Sequence, residues 1–143
     1  MTKSYWLMKS EPDVYSWDDL VAEGEGTWDG VRNHSAKLHL QAMAKGDEAF
    51  FYPSNIGLEI VGIMTISKPG LTDPNDPTGK WAAVKVKPAK KLKRPVTLKE
   101  IKATPVLAPM EMLRQSRLSV APVRPDEWAQ IIAMSRTKAP GTT

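Results

Sequence analysis

A mixed α/β (α+β) domain, with short helices around a largely antiparallel sheet, is the fold class that this sequence predicts. Three observations carry the prediction. The 143 residues are one domain's length, with 41% hydrophobic and 25% charged residues, close to globular averages. Short β-rich runs bounded by Pro, Gly, Ser and Asn recur from Tyr5 to Val123. Between them lie segments with helix-capping residues and apolar positions at helical spacing. No repeat or second-domain linker interrupts the chain, so one domain is expected over 1–137, with a frayed tail at 138–143.

The elements follow in order. "YWLMK" reads as a buried first strand closed by "SEPD". In "YSWDDL", Ser16 caps a helix with Asp19 at its third position, Tyr15 staples to Leu20, and the glycines of "EGEG" end it. "NHSAKLHLQAMAKG" is a second helix, with Ala36, Leu40 and Met43 on one face and a stop at Gly46. "DEAFFYP" and "LEIVGIMTI" pair as a hairpin across "PSNIG". The stretch "SKPGLTDPNDPTGK" has no periodic apolar face and reads as a long loop of the kind that often carries function. "WAAVKVKP" is a strand with Val84 and Val86 on one face and Lys85 and Lys87 on the other. Thr97 and Glu100 form a capping box, Val96 and Ile101 its staple. Pro109 fits a first helical position, "LSVAPV" is the final strand, and Pro125 opens a last helix bearing Trp128, Ile131 and Ile132.

Several chemistries are disfavoured by composition. There is no cysteine, hence no disulfide or thiolate chemistry, and His34 and His39 are five apart, off the three-or-four spacing of ligands on one helix face. Neither a metal nor a cofactor is expected. No apolar run approaches the ~18 residues of a membrane span, and "MTKSYWLMKSEP" is too short in apolar residues for a signal peptide. The expectation is a cytoplasmic protein without a membrane partner.

Charge is distributed unevenly. Residues 1–75 hold 6 Lys/Arg and 11 Asp/Glu, while residues 76–143 hold 14 and 5. In "KVKPAKKLKRP", Lys85, Lys87, Lys90, Lys91, Lys93 and Arg94 crowd together, which is a track for an anionic polymer or, equally, a lysine-rich edge strand that resists aggregation. On the first reading Lys87, Lys90, Lys91, Lys93 and Arg94 contact a nucleic-acid backbone.

Three polar-aromatic clusters stand at element ends: "KSEP", "WDGVRN" and "FYPSN". Element ends expose backbone N–H groups and loops from which a binding cavity is built. Trp28 offers a stacking face, Arg32 and Asn33 offer donors, and Ser10, Glu11, Ser54 and Asn55 offer mixed groups. That set suits a planar heterocycle with a hydrogen-bonding edge. The plainer alternatives are an Arg32–Asp29 pair at i, i+3 and simple turns at "KSEP" and "PSN". Trp6, Trp17, Trp81 and Trp128 read as packing residues.

With "YWLMKSEP", "WDGVRN", "GDEAFFYPSN", "RPVTLKEI" and "RLSVAPV" in that order, the sequence resembles the EVE-domain family across nearly its whole length. The resemblance implies a PUA-like pseudo-barrel flanked by short helices, related to YTH and ASCH domains. It implies a non-enzymatic domain that binds DNA or RNA carrying a modified base, methylated cytosine or adenine or a relative. By similarity to YTH domains, Trp28 is one wall of an aromatic cage, and Lys9 and Ser10 line it, with Glu11 and Pro12 next in the motif. Tyr52 is the favoured second wall, with Trp81 or a residue of 67–80 as alternatives. Pro53 stands where the family pattern leads one to expect His. The alternative activity is that of ASCH-like amidohydrolases on acetylated cytidine, with Lys9 and Glu11 as the reacting pair.

Overall fold

The computed structural model describes residues 3–10, 15–53, 58–115 and 118–136. Its strands are β1 (Tyr5–Ser10), β2 (Gly26–Trp28), β3 (Glu48–Pro53), β4 (Glu59–Thr72), β5 (Ala82–Thr97) and β6 (Val120–Val123). They form one sheet in the order β2-β5-β4-β3-β1-β6. The β1–β3 pair is parallel and the other pairs antiparallel, as the sequence led us to expect of a largely antiparallel sheet. The helices are α1 (Trp17–Glu23), α2 (His34–Ala42), α3 (Leu98–Ala103), α4 (Glu111–Arg114) and α5 (Pro125–Ser135), with a 3-10 turn at Pro105–Leu107.

Alternation along the strands splits the apolar residues between two cores. Trp6, Met8, Phe51, Met64, Ile66, Val84, Val86 and Val120 pack with Trp17 and Leu20 of α1 and Ala36 and Leu40 of α2. Leu7, Phe50, Tyr52, Ile60, Ile63 and Leu92 pack with Ile101, Met112, Trp128 and Ile131 on the other face. The first cluster also contains Trp28, so it draws on all six strands, including the two at the ends of the order. A sheet whose outermost strands share one core is curled about it, with β2 and β6 flanking the open side.

The local signals explain most boundaries. Ser16 and Thr97 close their capping boxes with Asp19 and Glu100, and Gly24 takes the left-handed exit of α1 at φ 76. Strand β2 has no counterpart in the sequence reading, β5 runs on past Pro88 to Thr97, and three other boundaries differ. Helix α2 ends at Ala42, and Gly46, at φ 93, instead makes the turn into β3, its N–H donating to Ile66 O. Pro109 precedes α4 by two residues, whereas Pro105 opens the 3-10 turn. Strand β4 continues through Ser67–Thr72, paired with β5 across register irregularities, and the loop shrinks to residues 73–81. That extension alternates between half-buried and exposed residues, so it is held by backbone pairing and leaves no apolar signature. The tail expected at 138–143 lies outside the described residues.

The fit of α1 on the sheet is specific at one point. Trp17 meets Phe51 edge-on at 5.6 Å and lies against Gly62 of β4, where an added Cβ would come within 2.6 Å of the indole. We expect Gly62→Ala to destabilise the fold by about 1–3 kcal/mol through overpacking, read as a lowered melting midpoint; an unchanged midpoint would mean that α1 is loosely docked.

Candidate functional site

The open side of the curled sheet holds a cavity of about 470 Å3. Lys9 and Ser10 from the end of β1, Thr27 and Trp28 from β2, and Ser119 ahead of β6 form its walls. Tyr15 ahead of α1 and the segment Asp29–Asn33 complete them. The volume falls in the ~300–1,000 Å3 range of small-molecule sites.

Trp28 is only 6% exposed, because its indole is both cavity wall and core residue. Phe51 meets it edge-on at 5.7 Å and Tyr15 at 6.4 Å, so the ring plane is set before any ligand arrives. Tyr15 is therefore the second aromatic of the cavity. Tyr52, favoured for that role on sequence, is not: residues alternate across β3, and Tyr52 falls into the opposite core with Phe50 and Trp128. The Tyr15 hydroxyl donates to Glu23 at 3.2 Å, and burial together with that carboxylate pushes its pKa up to about 12.

The polar lining is partly committed. Ser10 Oγ donates to Tyr15 O at 2.5 Å, tying the end of β1 to the start of α1. Asn33 Oδ1 accepts from Ala36 N at 3.0 Å as the cap of α2, leaving its amide NH2 as the donor group. Lys9 is half-buried, and loss of solvation lowers its ammonium pKa. Asp29 brings a carboxylate to the rim, its pKa raised by burial and by nearby Asp73.

Arg32 does not pair with Asp29. Its Nη1 donates to Asp73 Oδ2 at 2.8 Å, and the same oxygen accepts from Gly30 N at 2.8 Å. The other oxygen of Asp73 accepts from Asn75 N at 2.7 Å, and Asn75 Nδ2 donates to Asp29 at 3.1 Å. Burial raises the pKa of Asp73, but the Arg32, Gly30 and Asn75 bonds outweigh it and hold the group below the usual carboxylate range. The 73–81 loop is thus fastened to the cavity rim.

Four of the residues proposed from sequence, Glu11, Pro12, Ser54 and Asn55, lie outside the described residues. Lys9, Ser10, Trp28, Arg32 and Asn33 come together in the cavity. The basic run does not join them. Lys87, Lys90, Lys91 and Lys93 are spread along β5, and Lys90 and Lys93 border a separate cavity with Trp128 and Ile132. Arg94 corrects the sequence reading more sharply: its Nη1 lies 2.8 and 3.0 Å from the two Glu100 oxygens, locking the α3 cap rather than presenting a charge. Sequence reasoning missed Tyr15, Thr27, Asp29, Ser119 and Asp73. The motifs "WDGVRN" and "RLSVAPV" contain two of them, and the loop read as functional contains Asp73.

Within the loop, Asp76 accepts from Thr78 Oγ1 and from the N–H groups of Thr78, Lys80 and Trp81 at 2.6–2.9 Å. The Thr78 hydroxyl first, then the backbone donors, lower its pKa from 3.8 to about 2. A depressed folded-state pKa means that this contribution is present above pH 3.8 and is lost as pH falls through about 2. The Lys80 and Trp81 amide resonances should accordingly titrate with a midpoint near pH 2; a midpoint near 3.8 would refute the turn geometry.

Among the described residues no group of His, Asp or Glu is arranged to hold a metal ion, and no helix is long and apolar enough to cross a membrane. Comparison with known proteins bears on the family. The EVE domain profile matches residues 4–134. Thymocyte nuclear protein 1 of Mus musculus is 35% identical over 94% of this chain and 75% of its own length. The NMR structure of a Rhodopseudomonas palustris protein superposes with a TM-score of 0.87 at 53% identity, covering 92% of both chains. Human THYN1 in complex with 5-methylcytosine-containing DNA superposes with a TM-score of 0.88 at 32% identity, covering 96% of this chain and all of that one. An ASCH protein of Zymomonas mobilis, at 11% identity and a TM-score of 0.57, shares the fold alone. With its profile match, its relatives and its fold in agreement, the chain belongs to the EVE-domain family.

Proposed function

We propose that the protein is a non-enzymatic reader of DNA carrying a methylated base, which it takes into the Trp28 cavity. The observation that carries this reading is the cavity's composition: a fixed indole wall beside donors on Lys9, Arg32 and Asn33 and an acceptor on Asp29. Cytosine presents a donor at N4 and acceptors at N3 and O2, which that lining complements. The human relative bound to 5-methylcytosine DNA supports DNA over RNA and methylcytosine over other bases.

Magnitudes define what such a site does. Extruding a base costs a few kcal/mol, and stacking on an aromatic side chain returns about 1–3 kcal/mol, so edge hydrogen bonds are needed to hold it. A buried methyl adds about 0.8 kcal/mol, about a fourfold preference.

Trp28→Ala removes the stacking wall, and because it also costs core packing, its melting midpoint is measured beside its binding so that loss of fold and loss of stacking are told apart. Matched DNAs with and without 5-methylcytosine should differ by about fourfold or more on the wild-type protein and by nothing on the variant. Equal affinities on the wild type, or a preference that survives the substitution, would sink the proposal, as would release of a chemically altered base.

A further inference from the structure

Trp81 lies outside the cavity and is half-buried, and three cationic side chains gather around its ring. Lys80 Nζ, the Arg32 guanidinium carbon and Lys37 Nζ stand 5.2, 5.5 and 5.8 Å from its ring centroid. Among the described residues neither lysine has an acidic partner within ion-pair distance. One cation suffices for a cation–π contact; Arg32 is balanced by Asp73, but Lys37 and Lys80 add two charges beside the indole, and an anion placed between them relieves their repulsion.

Beside the ring is a cleft of about 340 Å3, lined by Leu40, Gln41, Leu71, Thr72, Lys80 and Trp81. The indole is presented on a held backbone: the Trp81 amide N–H donates to Asp76 Oδ2 at 2.8 Å, and the Trp81 carbonyl accepts from Asp73 N at 2.8 Å. Arg32 belongs to both places: it lines the Trp28 cavity and stands over Trp81. Its Nη1 is occupied by Asp73 and Val31 O, but a guanidinium carries five donors.

We propose that the Trp81 cleft is a second nucleotide subsite, built for the nucleotide that adjoins the extruded base on the same DNA strand. The adjoining base stacks on Trp81, and the phosphate between the two nucleotides lies among Arg32, Lys37 and Lys80. This deepens the reading of the Trp28 cavity and rests on it for the identity of the strand. The subsite itself is indifferent to methylation, because every base has a stacking face and every linkage a phosphate.

That indifference supplies a test separable from the first. A short unmodified single-stranded DNA, followed by fluorescence anisotropy over a range of salt concentrations, probes the Trp81 subsite directly. We expect Trp81→Ala to weaken its binding by about 5- to 150-fold, the range that base–aromatic stacking supplies. The double variant Lys37→Glu/Lys80→Glu reverses both charges while keeping the indole, and should lower the slope of log affinity against log salt by about 0.7 for each phosphate it no longer neutralises. Free 5-methyl-2′-deoxycytidine, which has no neighbouring nucleotide, should bind both variants as it binds the wild type. Unmodified DNA binding both variants with wild-type affinity and slope overturns the subsite. Failure of the cavity reading looks different: no preference for methylated DNA, with the dependence on Trp81 and the lysines intact.

Discussion

The Asp73 carboxylate joins the two chain segments on which the candidate site depends. One segment, Asp29–Asn33, runs from the end of β2 to the cap of α2 and lines the cavity; the other is the loop between β4 and β5. A carboxylate 1% exposed is costly to bury unless its oxygens are satisfied, and here they accept from Gly30 N, Asn75 N and Arg32. The requirement runs in both directions. Asp73 holds Gly30 and Arg32 in place, and without them Asp73 would be an unpaired charge in the interior. The cavity rim and the loop therefore form as one unit, and the position of Arg32 between them is set by that bond.

The second constraint is the shared use of Trp28. A residue wholly devoted to a ligand would be exposed and mobile in its absence. Trp28 instead meets Phe51 and Tyr15 edge-on, and Val84 of β5 is its partner in the sheet. Core packing thus fixes the indole, and a ligand that stacks on it loses little side-chain entropy in doing so. The same economy applies to Ser10 and Asn33, whose cavity-lining side chains also fasten α1 and cap α2. Binding geometry and fold stability are consequently coupled at these residues.

How much of this the sequence disclosed follows the range of each interaction. Capping boxes at Ser16 and Thr97, the helix start at Pro125 and the alternation of Val84 with Lys85 are local, and each is legible. The assembly of Lys9, Ser10, Trp28, Arg32 and Asn33 is legible as ordered motifs of a family, not as spacing, because the approach of β1 to the segment before α2 is long-range. What escapes depends on partners distant in sequence. Arg32 has Asp29 three residues away, but its partner is Asp73, supplied by a loop whose reading as functional names no particular residue. Tyr52 and Phe51 are neighbours with equal aromatic character, and only strand alternation in the folded sheet sends one to each core. Arg94 looks like one more charge in a basic run, although its acid, Glu100, is visible only as a helix cap.

These placements separate the basic run of β5 from the cavity. The densest charge, along β5, borders the opposite core and stands apart from the cavity, whereas the cations that converge near it are the scattered Lys9, Arg32, Lys37 and Lys80. Local density in sequence is a poor guide to potential at a site, because a strand spreads its side chains over two faces and a length of about 3.3 Å per residue. A site that gains only about 0.8 kcal/mol from a methyl group discriminates weakly by itself. Affinity for the strand must come from elsewhere, and interactions that ignore the modification raise binding to methylated and unmodified DNA alike. On the proposed reading the energetic division is that the Trp28 cavity sets the preference, Trp81 and its cations set the strength, and Arg32, anchored on Asp73, keeps the two in register.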